Sequence, residues 1–439
     1  MLNRRHFCLT AAAFATPLRA ETTLSAADLG VLPDTGADQS AALSEALQAA
    51  AAQGKALYLP SGTYQAANVT LPPNAELFGR GAPPILQLAS GENILNASKA
   101  RNVTLRGLHL RGNGGKDFES FTGLFHGEEC DDLNISDCHF SNAATQGINL
   151  YACSGHISGN RIGGVYGAGI ASLNATGLWL TANEIDGCEN LGIYVARDEA
   201  GYDGTIISRN RIRNIRFAEG GDGQNGNAVN AFRADNVVIS DNVLSDCAFS
   251  AVRLNATRDC QITGNNCSRL EEVAIFSEFG FSGSVISGNI IDEAAQGIAI
   301  TNFDEAGRLA VCSNNIVRNI WESSPTNPDT MPVGIGVEAD TLVSGNVVEN
   351  VPGVGIALGW GPYLRDVSAT GNLLRGCDIG IGVTLAEGAG SALISGNLIQ
   401  VDKGHLAIAG TLWDETAEPD LIKNAALYPQ LTIQGNAIS

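Results

Sequence analysis

Arg253 stands in the stretch Ala251-Val252-Arg253-Leu254-Asn255, where a guanidinium is out of place among small and apolar neighbours. Arg233 and Glu278 occupy related places in adjacent copies of a repeat described below. Copies stacked at the inter-strand distance would gather these three residues within about 10 Å. Such a cluster suits two chemistries. Eliminating or epimerising a uronate needs a cation on the carboxylate and a base for the proton beside it. Arg233 and Arg253 would be the clamps. Because Lys99, Lys116, Lys403 and Lys423 all lie away from mid-array, Tyr194 or Arg253 would be the base. Hydrolysing a glycosidic bond needs two carboxylates instead. Glu278 and Asp304 are one copy apart, about 5 Å, and Glu278 and Glu338 two copies, about 10 Å, separations that suit retention and inversion respectively. Trp360-Gly361-Pro362-Tyr363 adds aromatics of the kind that stack on sugar rings. Asp198, Glu199 and Asp203 could ligate calcium through oxygen, the one cofactor the sequence suggests; three carboxylates on one loop also make an ordinary polar turn.

The elements that must hold these residues repeat. A phrase of β-branched residue, Ser or Thr, small or polar residue and Asn runs through Asn160, Asn183, Asn210, Asn242, Asn265, Asn289, Asn315, Asn346, Asn372, Asn397 and Asn436. Their spacings are 23, 27, 32, 23, 24, 26, 31, 26, 25 and 39 residues. Eight or nine residues after most of them comes Gly-Ile-x-apolar, as at Gly169-Ile170, Gly192-Ile193, Gly297-Ile298, Gly355-Ile356 and Gly380-Ile381. The apolar runs are short, β-branched and of period two, which is a strand pattern and not a helical one. A repeat of about 25 residues fits one coil of three short strands and three turns, and stacked coils set like residues above one another. Corner asparagines can then bond from coil to coil as an amide ladder. The chain is therefore expected to be all-β, a single-stranded right-handed parallel β-helix of about 12 coils.

Composition bounds the partners. The 439 residues are 44% apolar and carry a net charge of −20, with no basic run, which argues against nucleic acid or an anionic membrane surface. No apolar run after the N-terminus reaches the length of a membrane span. Asn3-Arg4-Arg5-His6-Phe7, the apolar stretch to Ala15 and Leu18-Arg19-Ala20 form an export signal of twin-arginine type over residues 1–20. Periplasmic or secreted location follows, with the twin-arginine machinery as a transient partner; a monomer is expected. Without Arg4, Arg5 and Arg19 the charge becomes −23. Nine cysteines then remain, an odd number in no zinc-like spacing; Cys188, Cys247 and Cys377 each follow a ladder Asn by five residues, as small core residues would. His109, His126, His139 and His156 are 17, 13 and 17 apart, which does not match the coil and argues against a metal column.

Asp34, Asp38, Leu43, Ala46 and Leu47, then Leu57-Tyr58-Leu59-Pro60-Ser61-Gly62-Thr63-Tyr64, resemble the N-terminal entry of the pectate-lyase superfamily. The whole chain is also similar to a family of twin-arginine-exported repeat proteins. The resemblance implies a helix over 39–53, with Ala42, Leu43, Ala46, Leu47 and Ala50 on one side, capping the open end of the β-helix. It divides the chain into a signal at 1–20, a cap and first coils at 21–100, and repeats at 101–439. It also implies that the Gly-Ile-x-Val strands form a glycan-binding face. The insertions Phe217 to Asn227 and Trp321 to Pro332 would wall it on one side, and the extended turns after the strand on the other. Outward positions on that face are Asn149, Tyr151, Tyr194, Arg197, Asn230, Arg233, Arg253 and Asn255, then Glu278, Asn302, Asp304, Glu338, Trp360 and Tyr363. The chain has neither the paired-Asp and Gly-His-Gly motifs of polygalacturonases nor the Asp-Pro-His-Asp motif of alginate epimerases. The expected activity is binding, and cleavage or epimerisation, of an acidic polysaccharide, with Arg253, Arg233, Tyr194 and Glu278 catalytic. The alternatives are a glycan- or protein-binding rod, a hydrolase with paired carboxylates, and an accessory protein for metal delivery, against which the Cys and His placement argues.

Overall fold

The computed structural model describes residues 23–117 and 120–439, so the export signal expected at 1–20 lies outside the described residues. The backbone winds through coil after coil of short parallel strands. One face is a parallel sheet of sixteen strands, from Thr23–Ser25 to Leu431–Gln434. The other two faces merge into a second sheet, because strands such as Asn266–Glu278 and Val347–Leu358 bend through a corner without breaking. Sixteen strands exceed the dozen coils expected, because the coils before residue 130 lack the Asn phrase by which coils are counted. The helix Ser40–Ala52 covers the N-terminal end and buries Leu43, Ala46, Leu47 and Ala50. At the other end, Leu406–Leu412 pairs antiparallel with Glu415–Glu418 and departs from the coil pattern.

The core follows from period two. Ile148, Ile170, Ile193, Val229, Val252, Ile275, Ile298, Ile335, Ile356, Ile381 and Ile408 pair in one unbroken register on the groove strands, all essentially inaccessible to solvent. The nine described cysteines are free and buried, as core residues. His109 and His139 stack at 4.1 Å between ring centroids, because the strands His109–Arg111 and His139–Ser141 pair with the two residues in register. Burial, then the neighbouring His139 and Arg111, lowers the pKa of His109 to about 4, so the stack is neutral.

The asparagine ladder is continuous. Asn265 donates from Nδ2 to Oδ1 of Asn289 (3.0 Å) and to the Ile239 carbonyl (3.0 Å), while its own Oδ1 accepts from the backbone N and Nδ2 of Asn242 (3.1 and 2.9 Å). The same set recurs from Asn160 to Asn436. Each side chain thus satisfies buried groups in the coils on both sides. Removing one strands several at once, and each buried group left unpaired costs about 1–3 kcal/mol. Asn265→Ala should therefore destabilise the chain by roughly 2–4 kcal/mol, whereas Asn436→Ala, at the partly exposed end, should cost less; denaturant midpoints of the two variants check this ordering.

Candidate functional site

The groove strands place one side chain per coil on a common outward row: Asn149, Ala171, Tyr194, Asn230, Arg253, Phe276, Ala299, Gly336, Ala357, Gly382 and Ala409. The row is polar and bulky in its first half and almost bare in its second. Two cavities open along it, and the expected site residues divide between them.

The first cavity, about 610 Å³, is lined by Tyr194, Asn230, Arg253 and Asn255, with Asp222 to Asn225 of the first insertion as one wall. Arg253 pairs with Asn230 in register, and Arg233 lies three residues beyond that position, exposed near the end of the strand Val229–Asp235 at φ +56°, where it donates to the Asp198 carbonyl at 2.9 Å. Arg233 therefore does not join Arg253 as a second clamp. The Arg253 guanidinium is itself engaged. It forms a bidentate pair with Glu278 (2.6 and 2.8 Å) and reaches Glu272 at 3.4 Å, with Arg253 7%, Glu278 1% and Glu272 4% exposed. Asn255 completes the cluster by donating to Glu278 at 2.8 Å. The backbone of Gly223, at φ +102°, lies over the guanidinium so closely that any Cβ there would collide with Nη1. Arg253 and Glu278 thus sit in a buried ion cluster against which the first insertion packs at Gly223. Burial pushes the Tyr194 phenol above its ordinary pKa, with Arg233 opposing, which disfavours the phenolate a base would need.

Glu272, which the sequence pattern did not single out, also anchors the second insertion: Asn327 donates to it at 3.1 Å, and Ser324 and Thr326 bond to Glu271. That insertion walls the second cavity, about 690 Å³, whose floor is Gly336, Ala357 and Gly382. Asn302, Glu338 and Trp360 of the expected residues line it, joined by Asp329, Trp413 and Asp414. Trp413 and Asp414 come from the C-terminal hairpin, outside the repeat, so no repeat register could place them. Trp360 and Trp413, each 48% exposed, meet edge to face at 4.5 Å, and Trp360 Nε1 donates to Asp414 at 3.1 Å. Tyr363 bonds through its backbone to Trp360 and does not line the cavity. Asp304 lies exposed on the neighbouring turn, also outside the lining. Glu338, 8% exposed, accepts from the Phe303 amide at 2.7 Å. Burial, with a smaller push from Asp304, raises its pKa to about 7 against that hydrogen bond.

Elsewhere on the face, Arg197 donates to the Ala175 carbonyl at 3.0 Å, and Asn149 to the Phe121 carbonyl at 2.8 Å. The three carboxylates read as a calcium set part company. Asp203 is fully buried beside Thr205, while Asp198 and Glu199 are exposed and Asp198 accepts from Asn174. Among the described residues no group of three or more His, Cys, Asp and Glu is arranged to hold a metal ion, and no helix is long and apolar enough to cross a membrane.

The family described as a right handed beta helix region matches residues 122–202 and 157–319. The fold is similar to the catalytic unit of a thermostable α-1,3-glucanase from Streptomyces thermodiastaticus, with a TM-score of 0.53 and 16% identity over 98% of this chain and 70% of that one. It is similar to the pre-mature gene product 12 of bacteriophage phi29, with a TM-score of 0.57 and 14% identity over 91% of this chain and 58% of that one. An alginate lyase in complex with a trisaccharide gives 0.51 and 14% over 95% of both chains. No curated protein matches the sequence. The chain has the fold of a right-handed parallel β-helix.

Removing one member of the buried ion cluster should be costly, because it leaves uncompensated charge in a dry site. Arg253→Met alone should destabilise by about 3–5 kcal/mol. The triple variant Arg253→Met, Glu278→Leu, Glu272→Gln should recover most of that loss. Chemical denaturation of both decides between a structural cluster and a site held ready for a ligand.

Proposed function

We propose that the chain binds a polysaccharide in the groove, with its principal contact in the second cavity and a preference for neutral over acidic polymers. The observation that carries this reading is the pairing of two half-exposed tryptophans, Trp360 and Trp413, with a floor of Gly336, Ala357 and Gly382. A sugar ring offers apolar faces to aromatic walls, and a floor without bulky side chains lets it approach the backbone. The preference for neutral polymers has an electrostatic origin. Glu338, Asp329 and Asp414 line this cavity and no Lys or Arg does, so a uronate would meet like charge with nothing to offset it. In the first cavity Arg253, the expected carboxylate clamp, already serves two glutamates. Two of the similar structures, a glucanase and an alginate lyase with a bound trisaccharide, are of proteins that act on polysaccharides, which supports the class and not the substrate. Acting after export at residues 1–20, the groove would meet such polymers in the periplasm or outside the cell.

Affinity electrophoresis through gels containing soluble α- or β-glucans, with alginate as the acidic control, tests the reading. Retardation by a neutral glucan and none by alginate is expected. Trp360→Ala should weaken retention several-fold, since an aromatic stacking contact contributes about 0.5–1.5 kcal/mol. Gly336→Phe should abolish it while leaving the fold intact, because a Cβ at Gly336 would meet nothing nearer than 3.6 Å and the ring would project into the cavity. Equal retardation of Gly336→Phe and wild type would sink the assignment to this cavity.

A further inference from the structure

The second cavity holds more than a binding surface needs. Glu338 is the residue directly after the floor strand Val333–Val337, and Asp329 belongs to the insertion directly before it. The strand therefore runs between the two carboxyls, one on each wall of one cavity. Their environments differ sharply. Glu338 is almost fully enclosed and fixed by the Phe303 amide, whereas Asp329 is open to solvent. Glycosidic hydrolysis needs that pairing: a shielded carboxylic acid on one side of the scissile bond and a solvated carboxylate on the other. Both carboxyls line one cavity on opposite sides of that five-residue strand, and an inverting pair needs such a gap between its carboxyls to admit a water.

We propose that Glu338 is the proton donor, and Asp329 the facing carboxylate, of a glycoside-hydrolysing centre in this cavity; the proposal rests on the glycan-binding reading above. Glu338 gives its proton to the glycosidic oxygen as the bond from that oxygen to the anomeric carbon breaks. A water on the opposite side adds its oxygen to the anomeric carbon and gives a proton to Asp329. Asp329 then loses that proton to solvent and Glu338 regains one, so the cycle consumes one water and yields two sugar ends with inverted anomeric configuration. Asp414 is unsuited to the facing role, because it belongs to the hairpin carrying Trp413 and is tied to Trp360, which follows the strand on Glu338's side. Asp304 does not line the cavity.

The raised pKa of Glu338 fits a donor that is still protonated near neutrality. The groups around it are Asp304 from the preceding turn, Asp329 from the insertion and Asp414 from the hairpin, all acidic. The nearby cation Arg365 has its guanidinium on Asp340 at 2.7 and 2.9 Å. Nothing positive therefore opposes protonation, and cleavage should decline as pH rises through about 7.

The experiment pairs retention with cleavage on the full mature chain. Wild type, Glu338→Gln, Asp329→Asn and Asp414→Asn are run through the glucan gels, and reducing-end release from each retained polymer is measured from pH 5 to 9. Glutamine keeps the shape of Glu338 and a carbonyl for the Phe303 amide, so folding is preserved. The expected result is that Glu338→Gln and Asp329→Asn are still retarded by the polymer that retards the wild type, with release reduced at least 100-fold in both. Proton NMR of the first wild-type product should show the anomer opposite to that of the substrate. Retention without release by the wild type, or release undiminished in either of those two variants, overturns the proposal while leaving the binding reading standing. Absence of retention on every polymer sinks both.

Discussion

Every functional side chain in this molecule is placed by one constraint, the vertical register of the coils. Parallel strands could slip along one another by two residues and still keep their alternation, so period-two hydrophobicity alone does not fix how coils stack. The asparagine ladder removes that freedom. Each Asn side chain is bonded to the next Asn and to backbone groups on either side, all out of water, so a shift of one coil would strand a set of buried donors and acceptors. The isoleucine column behind the groove and the outward row on it inherit their alignment from that corner.

Given the register, a site can be assembled by stacking from residues that lie one or more coils apart in the sequence. The insertions use it well. Both enter just before the groove strand; the first packs Gly223 over Arg253, which pairs with Glu278, and the second bonds from Ser324 to Asn327 onto Glu271 and Glu272. Three ionisable groups almost withdrawn from solvent, with Arg253 bonded to both glutamates, underlie two walls that have no strand pairing of their own.

What the sequence made legible was whatever repeats. The fold, the buried cysteines and the amide ladder are statements about period, which is visible without coordinates; the capping helix and the insertion-walled face came with the resemblance of residues 34–64 to a known N-terminal entry. Arg253 was also visible as an anomaly on its strand. Its contact with Glu272 was not visible, because Glu272 sits where the strand Asn266–Glu278 bends through a corner and no phrase of the repeat marks that position. Arg233 was misplaced for a related reason: the insertion before it shifts the register, and only the pairing of Asn230 with Arg253 resolves it. Trp413 and Asp414 could not be foreseen at all, since they arrive on an antiparallel hairpin that obeys no repeat rule. Sequence periodicity predicts what stacks, and it is silent about what folds back.

The nine buried thiols give the rod an unplanned set of reporters. Burial pushes Cys188, Cys267 and Cys312 up to about 12, so in the folded chain they are neither ionised nor reachable by an alkylating reagent. They are spread along the axis from Cys130 to Cys377, with several coils between the first and last. A repeat stack with neighbour-only contacts can open in sections, and each section that opens exposes its own thiols first. The order in which these cysteines become labelled would thus map the strength of the stack along its length without any engineered probe.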